Sequence, residues 1–170
     1  METIYFKGQP CHTCGTIPRP GEKAPCFTLV RPNFTETHCA DYKGKRVVLN
    51  IFPSLDTPVC AASLRRFNQE AAKLKNTAVV CVSMDLPFAA GRFCTTEGIE
   101  NLTVASAFRS PDFAQKYGIQ IIDGPLAGLL ARAVIVLDED RNVIYSGLVE
   151  EITNEPKYDE ALEVLNREQA

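Results

Sequence analysis

The sequence predicts an α/β fold: a mixed central sheet flanked by helices, with a β-hairpin at its N-terminus. Three observations carry this. The mostly apolar run Val47-Val48-Leu49-Asn50-Ile51-Phe52, between Gly44 and Pro53, has the unbroken hydrophobicity of a strand buried on both faces. After it, strand-like and helix-like segments alternate, which predicts a largely parallel sheet. Two places show strand, breaker and strand in close succession, the pattern of an antiparallel hairpin.

The first of these hairpins begins with the β-prone residues 3–6. Lys7-Gly8-Gln9-Pro10 breaks the run, and the stretch to Ile17 returns as its partner. Pro18, Pro20, Gly21 and Pro25 then mark irregular chain. Residues 47–52 are a central parallel strand. Beyond it, Leu64, Phe67, Ala71 and Leu74 recur at three- and four-residue spacing among Arg65, Arg66, Glu70 and Lys73, an amphipathic helix with Thr57 as N-cap and Pro58 in its first turn. Residues 78–82 form a second buried strand and 102–106 a third. Between them, residues 88–94 are a short helix or loop. A short helix runs from Ser110-Pro111 to the stop at Tyr117-Gly118. Residues 131–137 and 143–146, joined by the turn 138–142, form the second hairpin, and a helix over about 156–165 closes the chain.

The bulk properties restrict the function. At 170 residues, 45% hydrophobic and 23% charged, the chain suits one globular domain over residues 1–170. A formal charge of −3 and a pI near 5.5 give no electrostatic footprint for nucleic acid or an anionic membrane. No segment approaches the roughly 20 apolar residues of a membrane helix, and the first residues lack a basic and then apolar leader, so a cytoplasmic protein is expected. Seven cysteines, at 11, 14, 26, 39, 60, 81 and 94, are odd in number and unevenly placed, unlike a secreted disulfide framework. Redox chemistry at some of them is expected.

Cys60 occupies the most informative position. The segment Pro53-Ser54-Leu55-Asp56-Thr57-Pro58-Val59-Cys60 places it in the first turn of a helix directly after a buried strand. There, unpaired backbone N–H groups and the positive helix end favour thiolate, the nucleophilic form, and Arg65, Arg66 or another cation folding nearby can add to the effect. Location alone leaves two readings open, an activated thiol or a small hydrophobe in a helix. Arg132, which breaks the apolar flow of residues 129–137, is similarly ambiguous. It is either an edge arginine paired with Glu150 or Glu151, or a cation placed for chemistry.

The pattern Pro53-x-x-x-Thr57-Pro58-x-Cys60 between strand and helix resembles the peroxidatic motif of the peroxiredoxins. Residues 50–57 and 59–63, Phe93-Cys94, Leu129-Leu130-Ala131-Arg132-Ala133 and Glu151-Ile152-Thr153 further resemble bacterial thiol peroxidases, an atypical 2-Cys peroxiredoxin subfamily. The resemblance covers nearly the whole chain and implies a thioredoxin-like fold. It also implies a thioredoxin-dependent peroxidase that reduces hydrogen peroxide and organic hydroperoxides, without bound cofactor or metal, as a homodimer.

By the same resemblance Cys60 is the peroxidatic cysteine, Thr57 hydrogen-bonds the thiolate and peroxide, Pro53 shields the nucleophile, and Arg132 is the active-site arginine. Cys94 aligns with the resolving cysteine, which condenses with a Cys60 sulfenic acid to give an intramolecular disulfide. A disulfide needs Cα atoms within about 7 Å, so a Cys60 packed into a helix turn predicts local unwinding before that bond forms.

Two rival classes rest on Cys11-His12-Thr13-Cys14: a general dithiol oxidoreductase and a zinc or partner-binding module. This C-x-x-C does not open a helix after a strand, and on a strand Cys11 and Cys14 point to opposite faces. With only His12 and His38 as histidines, a tetrahedral zinc set is also incomplete. Cys81 reads as core, and Cys26 and Cys39, in irregular stretches, read as bystanders.

Overall fold

The N-terminal hairpin is present and forms a small sheet of its own. β1 (Thr3–Phe6) pairs antiparallel with β2 (Gln9–His12), Phe6 opposite Gln9. Lys7 and Gly8 make the connection at φ 51° and 80°, the doubly positive geometry whose twist suits a two-residue hairpin. The computed structural model describes residues 1–169.

The main sheet has seven strands in the order β4-β3-β7-β6-β5-β8-β9. They are β3 (Thr28–Val30), β4 (Glu36–His38), β5 (Arg46–Ile51), β6 (Thr77–Ser83), β7 (Thr103–Ser106), β8 (Ala133–Leu137) and β9 (Val143–Leu148). Four α-helices connect or close them: α1 (Pro58–Ala71), α2 (Pro87–Glu97), α3 (Pro111–Lys116) and α4 (Tyr158–Gln169). The expectation of a largely parallel sheet is corrected here. Only β5–β6 and β6–β7 run parallel, while β3–β4, β3–β7, β5–β8 and β8–β9 are antiparallel. The α1 and α2 crossovers force parallel strands; the β8–β9 hairpin docks on the other side of β5 and reverses direction there.

All six residues of β5 are buried, because helices cover both faces of the sheet. Val47, Leu49 and Ile51 pack with Phe113 and Tyr117 of the α3 region. Val48 and Phe52 pack on the opposite side with Leu64 and Phe67 of α1 and with Ala161 and Leu165 of α4. Asn50, on this second face, donates through Nδ2 to Ser63 Oγ (3.0 Å), so a polar link fixes α1 on the sheet one turn past Cys60. Tyr117-Gly118 does end α3, with Gly118 at φ 65°.

The β3–β4 hairpin occupies chain that the sequence marks as irregular. Each strand is only three residues long, and β3 is held by β7, far away in sequence. Its register places Thr28 opposite His38 and brings together the flanking Cys26 and Cys39. They form a disulfide with Cα atoms 5.3 Å apart, and the two are therefore not bystanders. At the hairpin tip, the Phe34 ring lies 4.9 Å from that of Phe88, in the first turn of α2.

Candidate active site

Cys60 is the third residue of α1, and the local sequence dictates where that helix starts. Thr57, with extended backbone at φ −103° and ψ 143°, is the N-cap, and Pro58 takes the first helical position, where a missing N–H costs nothing. The first helical bond runs from Ala61 N–H to the Thr57 carbonyl (3.1 Å), so the N–H groups of Val59 and Cys60 precede the helical ladder. Pro53 is buried in the loop between β5 and α1, and Cys60 itself has no solvent exposure.

Strand register brings Arg132 to the same place. Ile51 lies opposite Ala133 across β5–β8, so the residue before Ala133 sits beside the loop leaving β5. Arg132 is 2% exposed; its Nη1 donates to Cys60 Sγ at 3.1 Å and its Nε to the Ile152 carbonyl at 2.8 Å. The alternative pairing with Glu151 is not made. That carboxylate accepts from the N–H groups of Gly8 (2.8 Å), Thr153 (3.1 Å) and Lys7 (3.3 Å). The bonds from Thr153 and Gly8, chiefly, hold its pKa below the usual range. Among the described residues Arg132 makes no ion pair, and an isolated buried charge is strongly unfavourable. The group it faces is sulfur. Arg65 and Arg66, the cations expected near Cys60, instead pair with Glu97 and with Glu70 and Asp159 at the surface.

Thr57 does not donate to the sulfur in this state; its hydroxyl donates to the Ser54 carbonyl at 3.0 Å and so braces the loop. The main anchor of that loop is a residue that no sequence motif marks. Asp85 accepts from Leu55 N–H (2.7 Å) and Ser83 Oγ (2.7 Å) on Oδ2, and from Ser54 Oγ (2.8 Å) on Oδ1. It lies two residues before Pro87, where α2 begins. One carboxylate thus ties the loop of Cys60 to the lead-in of the helix bearing Cys94. Asp85→Ala strands the Leu55 N–H and is expected to cost about 1–3 kcal/mol, read as a lower Tm in calorimetry. A Tm equal to wild type would show that the bond to Leu55 contributes nothing net.

Cys94 lies in the last turn of α2, where its carbonyl accepts from the N–H of the C-cap Gly98. It is half-buried against the same apolar cluster as Cys60, and both thiols are free. Burial raises the Cys94 pKa above the ordinary thiol value. A shallow groove between the loop and α2, lined by Leu55, Asp56, Ala89, Arg92, Phe93 and Thr96, separates the two segments at the surface.

Two of the remaining thiols, Cys81 and Cys11, are poor nucleophiles by position. Cys81 on β6 is pushed up to about 12 by burial. Cys11 on β2 is buried and raised by that burial, then by Asp123 and Glu151, while Cys14 lies outside the strand and points its thiol at the Ala114 carbonyl (3.5 Å). The two are not bridged. His12 is engaged by Asp123 at 2.6 Å, and no group of three or more His, Cys, Asp or Glu among the described residues is arranged to hold a metal ion. Nor is any helix among them long and apolar enough to cross a membrane.

Comparison with known proteins identifies the family. The redoxin family model matches residues 19–162. A thiol peroxidase of Corynebacterium glutamicum is 52% identical over 166 residues, covering 98% of this chain and all of that protein. Among solved structures, a peroxiredoxin-like protein from Aquifex aeolicus is similar at TM-score 0.93 and 41% identity, over 98% of this chain and 97% of that one. A thiol peroxidase from Chromobacterium violaceum, at 20% identity, shares the fold at TM-score 0.91 over 100% of this chain and 99% of its own.

Proposed function

The chain belongs to the redoxin family as a peroxidase of the thiol peroxidase group, and we propose that its peroxide chemistry is carried by Cys60 as nucleophile and Cys94 as resolving thiol. The observation that carries this reading is the buried Arg132 guanidinium, 3.1 Å from Cys60 Sγ and without a carboxylate partner. A thiolate at Cys60 is the counter-ion that completes this arrangement.

In the first step the Cys60 thiolate attacks one oxygen of a hydroperoxide ROOH. The S–O bond forms as the O–O bond breaks, and RO⁻ leaves and takes a proton to become ROH. Cys60 is now a sulfenic acid. Negative charge grows on the leaving oxygen, and fixed donors facing it lower the barrier because they need no reorganisation. Arg132 and the N–H groups of Val59 and Cys60 suit that role. Thr57 can serve as a donor after exchanging its Ser54 carbonyl bond for one to the peroxide, and Pro53 helps to keep water from the sulfur.

In the second step the Cys94 thiolate attacks Cys60 Sγ, the S–S bond forms, and hydroxide departs with a proton as water. Both cysteines sit in helical turns, so the start of α1 and the end of α2 unwind to allow contact. Burial raises the Cys94 pKa in the closed fold; opening of α2 removes that burial and lowers the cost of ionising the attacking thiol. A dithiol then reduces the disulfide. The family resemblance supports thioredoxin as that dithiol, hydrogen peroxide and organic hydroperoxides as substrates, a homodimeric state, a cytoplasmic setting and one domain over the full chain.

Cys94→Ser tests the division of labour. Treated with peroxide and a sulfenic-acid trapping diketone, this variant is expected to carry one adduct on Cys60 by mass spectrometry and to stop after a single turnover. Wild type is expected to carry the Cys60–Cys94 disulfide. Sustained turnover by Cys94→Ser would overturn the assignment.

A further inference from the structure

Arg132 has a counterpart. The side chain of Arg141, in the β8–β9 turn at φ 66°, donates through Nε to the Ala24 carbonyl (2.8 Å), which aims Nη1 at Cys39 Sγ at 3.6 Å. Arg141, like Arg132, makes no ion pair among the described residues. The fold thus points an arginine without a carboxylate at a cysteine sulfur twice, and the second time that sulfur belongs to the Cys26–Cys39 disulfide. The two places are separate: Cys60 packs on the α1 and α4 face of the sheet, and Cys39 packs on the α3 face.

The two cysteines of this disulfide differ in exposure. Cys26 is exposed and opens onto a groove lined by Glu36, Arg109, Asp112 and Lys116, whereas Cys39 is 9% exposed and lies under the guanidinium. The cross-link also ties two chain ends that the backbone already holds: Thr28–Val30 is paired with Glu36–His38, and Cys39 N–H donates to the Phe27 carbonyl (3.0 Å). Opening it leaves that ladder in place, so exchange does not require the sheet to unfold.

We propose that Cys26–Cys39 is a second redox centre, a thiol–disulfide exchange site at the sheet edge whose substrate is a dithiol reductant. The thiolate of the dithiol attacks Sγ of Cys26, the more exposed residue of the pair, in line with the S–S bond; a new S–S bond forms to Cys26, and Cys39 leaves as a thiolate facing Arg141. The second thiol of the reductant, deprotonated, then attacks its own sulfur in the mixed disulfide. Cys26 is released as a thiolate, and the dithiol departs as a disulfide. Two electrons pass to the protein, and solvent supplies protons to the released sulfurs according to their ionisation. A disulfide of the same class reverses the sequence. Exposed disulfides are the readily exchanged ones, and departure is faster for a leaving thiolate that its surroundings stabilise.

The test uses the full-length protein and dithiothreitol as the dithiol. Samples taken during reduction are quenched in acid and alkylated, and the Cys26 and Cys39 peptides are quantified by mass spectrometry. Both cysteines are expected to be bridged in air-equilibrated protein and to open together with the circular-dichroism spectrum unchanged. Glutathione, which has one thiol, is expected to be trapped as a mixed disulfide on Cys26 with Cys39 alkylated. Arg141→Gln is expected to slow opening roughly tenfold. Free Cys26 and Cys39 thiols in the air-equilibrated protein, opening only after unfolding, or glutathione trapped on Cys39 would each overturn the proposal, as would an unchanged opening rate in a folded Arg141→Gln. If that variant does not fold, the wild-type glutathione position still decides the direction of attack. None of these readouts depends on peroxide turnover, so failure here is separable from failure of the Cys60 reading.

Discussion

Cys60→Ser is expected to lose peroxide consumption by roughly a thousandfold or more, the scale seen when a catalytic nucleophile is removed, while the protein stays folded. Serine is close in size to cysteine, and its hydroxyl can still accept from Arg132 Nη1, so the donor keeps a partner, although the guanidinium loses its counter-ion and the Tm is expected to fall. What disappears is the nucleophile, since a serine hydroxyl is hardly ionised near neutral pH and does not attack the O–O bond at a useful rate. The measurement is peroxide loss with thioredoxin and its reductase as the electron source, next to a thermal melt. Retained turnover in a folded Cys60→Ser would sink the reading of this site, whatever the other cysteines do.

Arg132→Met is the second large effect, and it separates function from stability. Methionine keeps much of the length and apolar stem but removes the donor to Cys60 Sγ and the charge. Loss of a fixed donor at developing charge lowers kcat/KM by about a hundredfold to a thousandfold. The Tm is expected to fall by a few degrees at most, because Cys60 takes up a proton once its counter-ion is gone, while the Ile152 carbonyl loses its donor. Arg132→Lys should recover little. A single ammonium cannot supply both the Nε bond to Ile152 and the Nη1 bond to sulfur, which rest on a planar fork. Wild-type kcat/KM in Arg132→Met, or activity lost only in proportion to a collapse in Tm, would assign the arginine to structure instead.

Features with local causes were legible in the sequence. The apolar run of β5, the Thr57-Pro58 start of α1, the β1–β2 turn and the stop at Gly118 each follow from residues within a few positions of one another. Arg132 was legible as an anomaly, a charge in an apolar run, yet its partner was not, since the β5–β8 register that puts Ala133 opposite Ile51 is tertiary. The same limit hid the antiparallel docking of β8: alternation of helices and strands says nothing about how a terminal hairpin attaches. Strands as short as β3 and β4 carry too few residues for a period of two to show, and without their register nothing pairs Cys26 with Cys39. Nothing local marks Asp85, because its three donors come from two segments about thirty residues apart.

The complete enclosure of Cys60 governs what other chemistry can do to it. Bulky alkylating agents and foreign disulfides find no exposed sulfur at this position, and on the proposed cycle they reach it when the first turn of α1 unwinds. Inactivation by any such poison therefore reports the frequency of opening rather than the intrinsic reactivity of the thiol. On the proposed cycle the thiol is therefore sheltered from such reagents at rest and exposed to them chiefly during turnover.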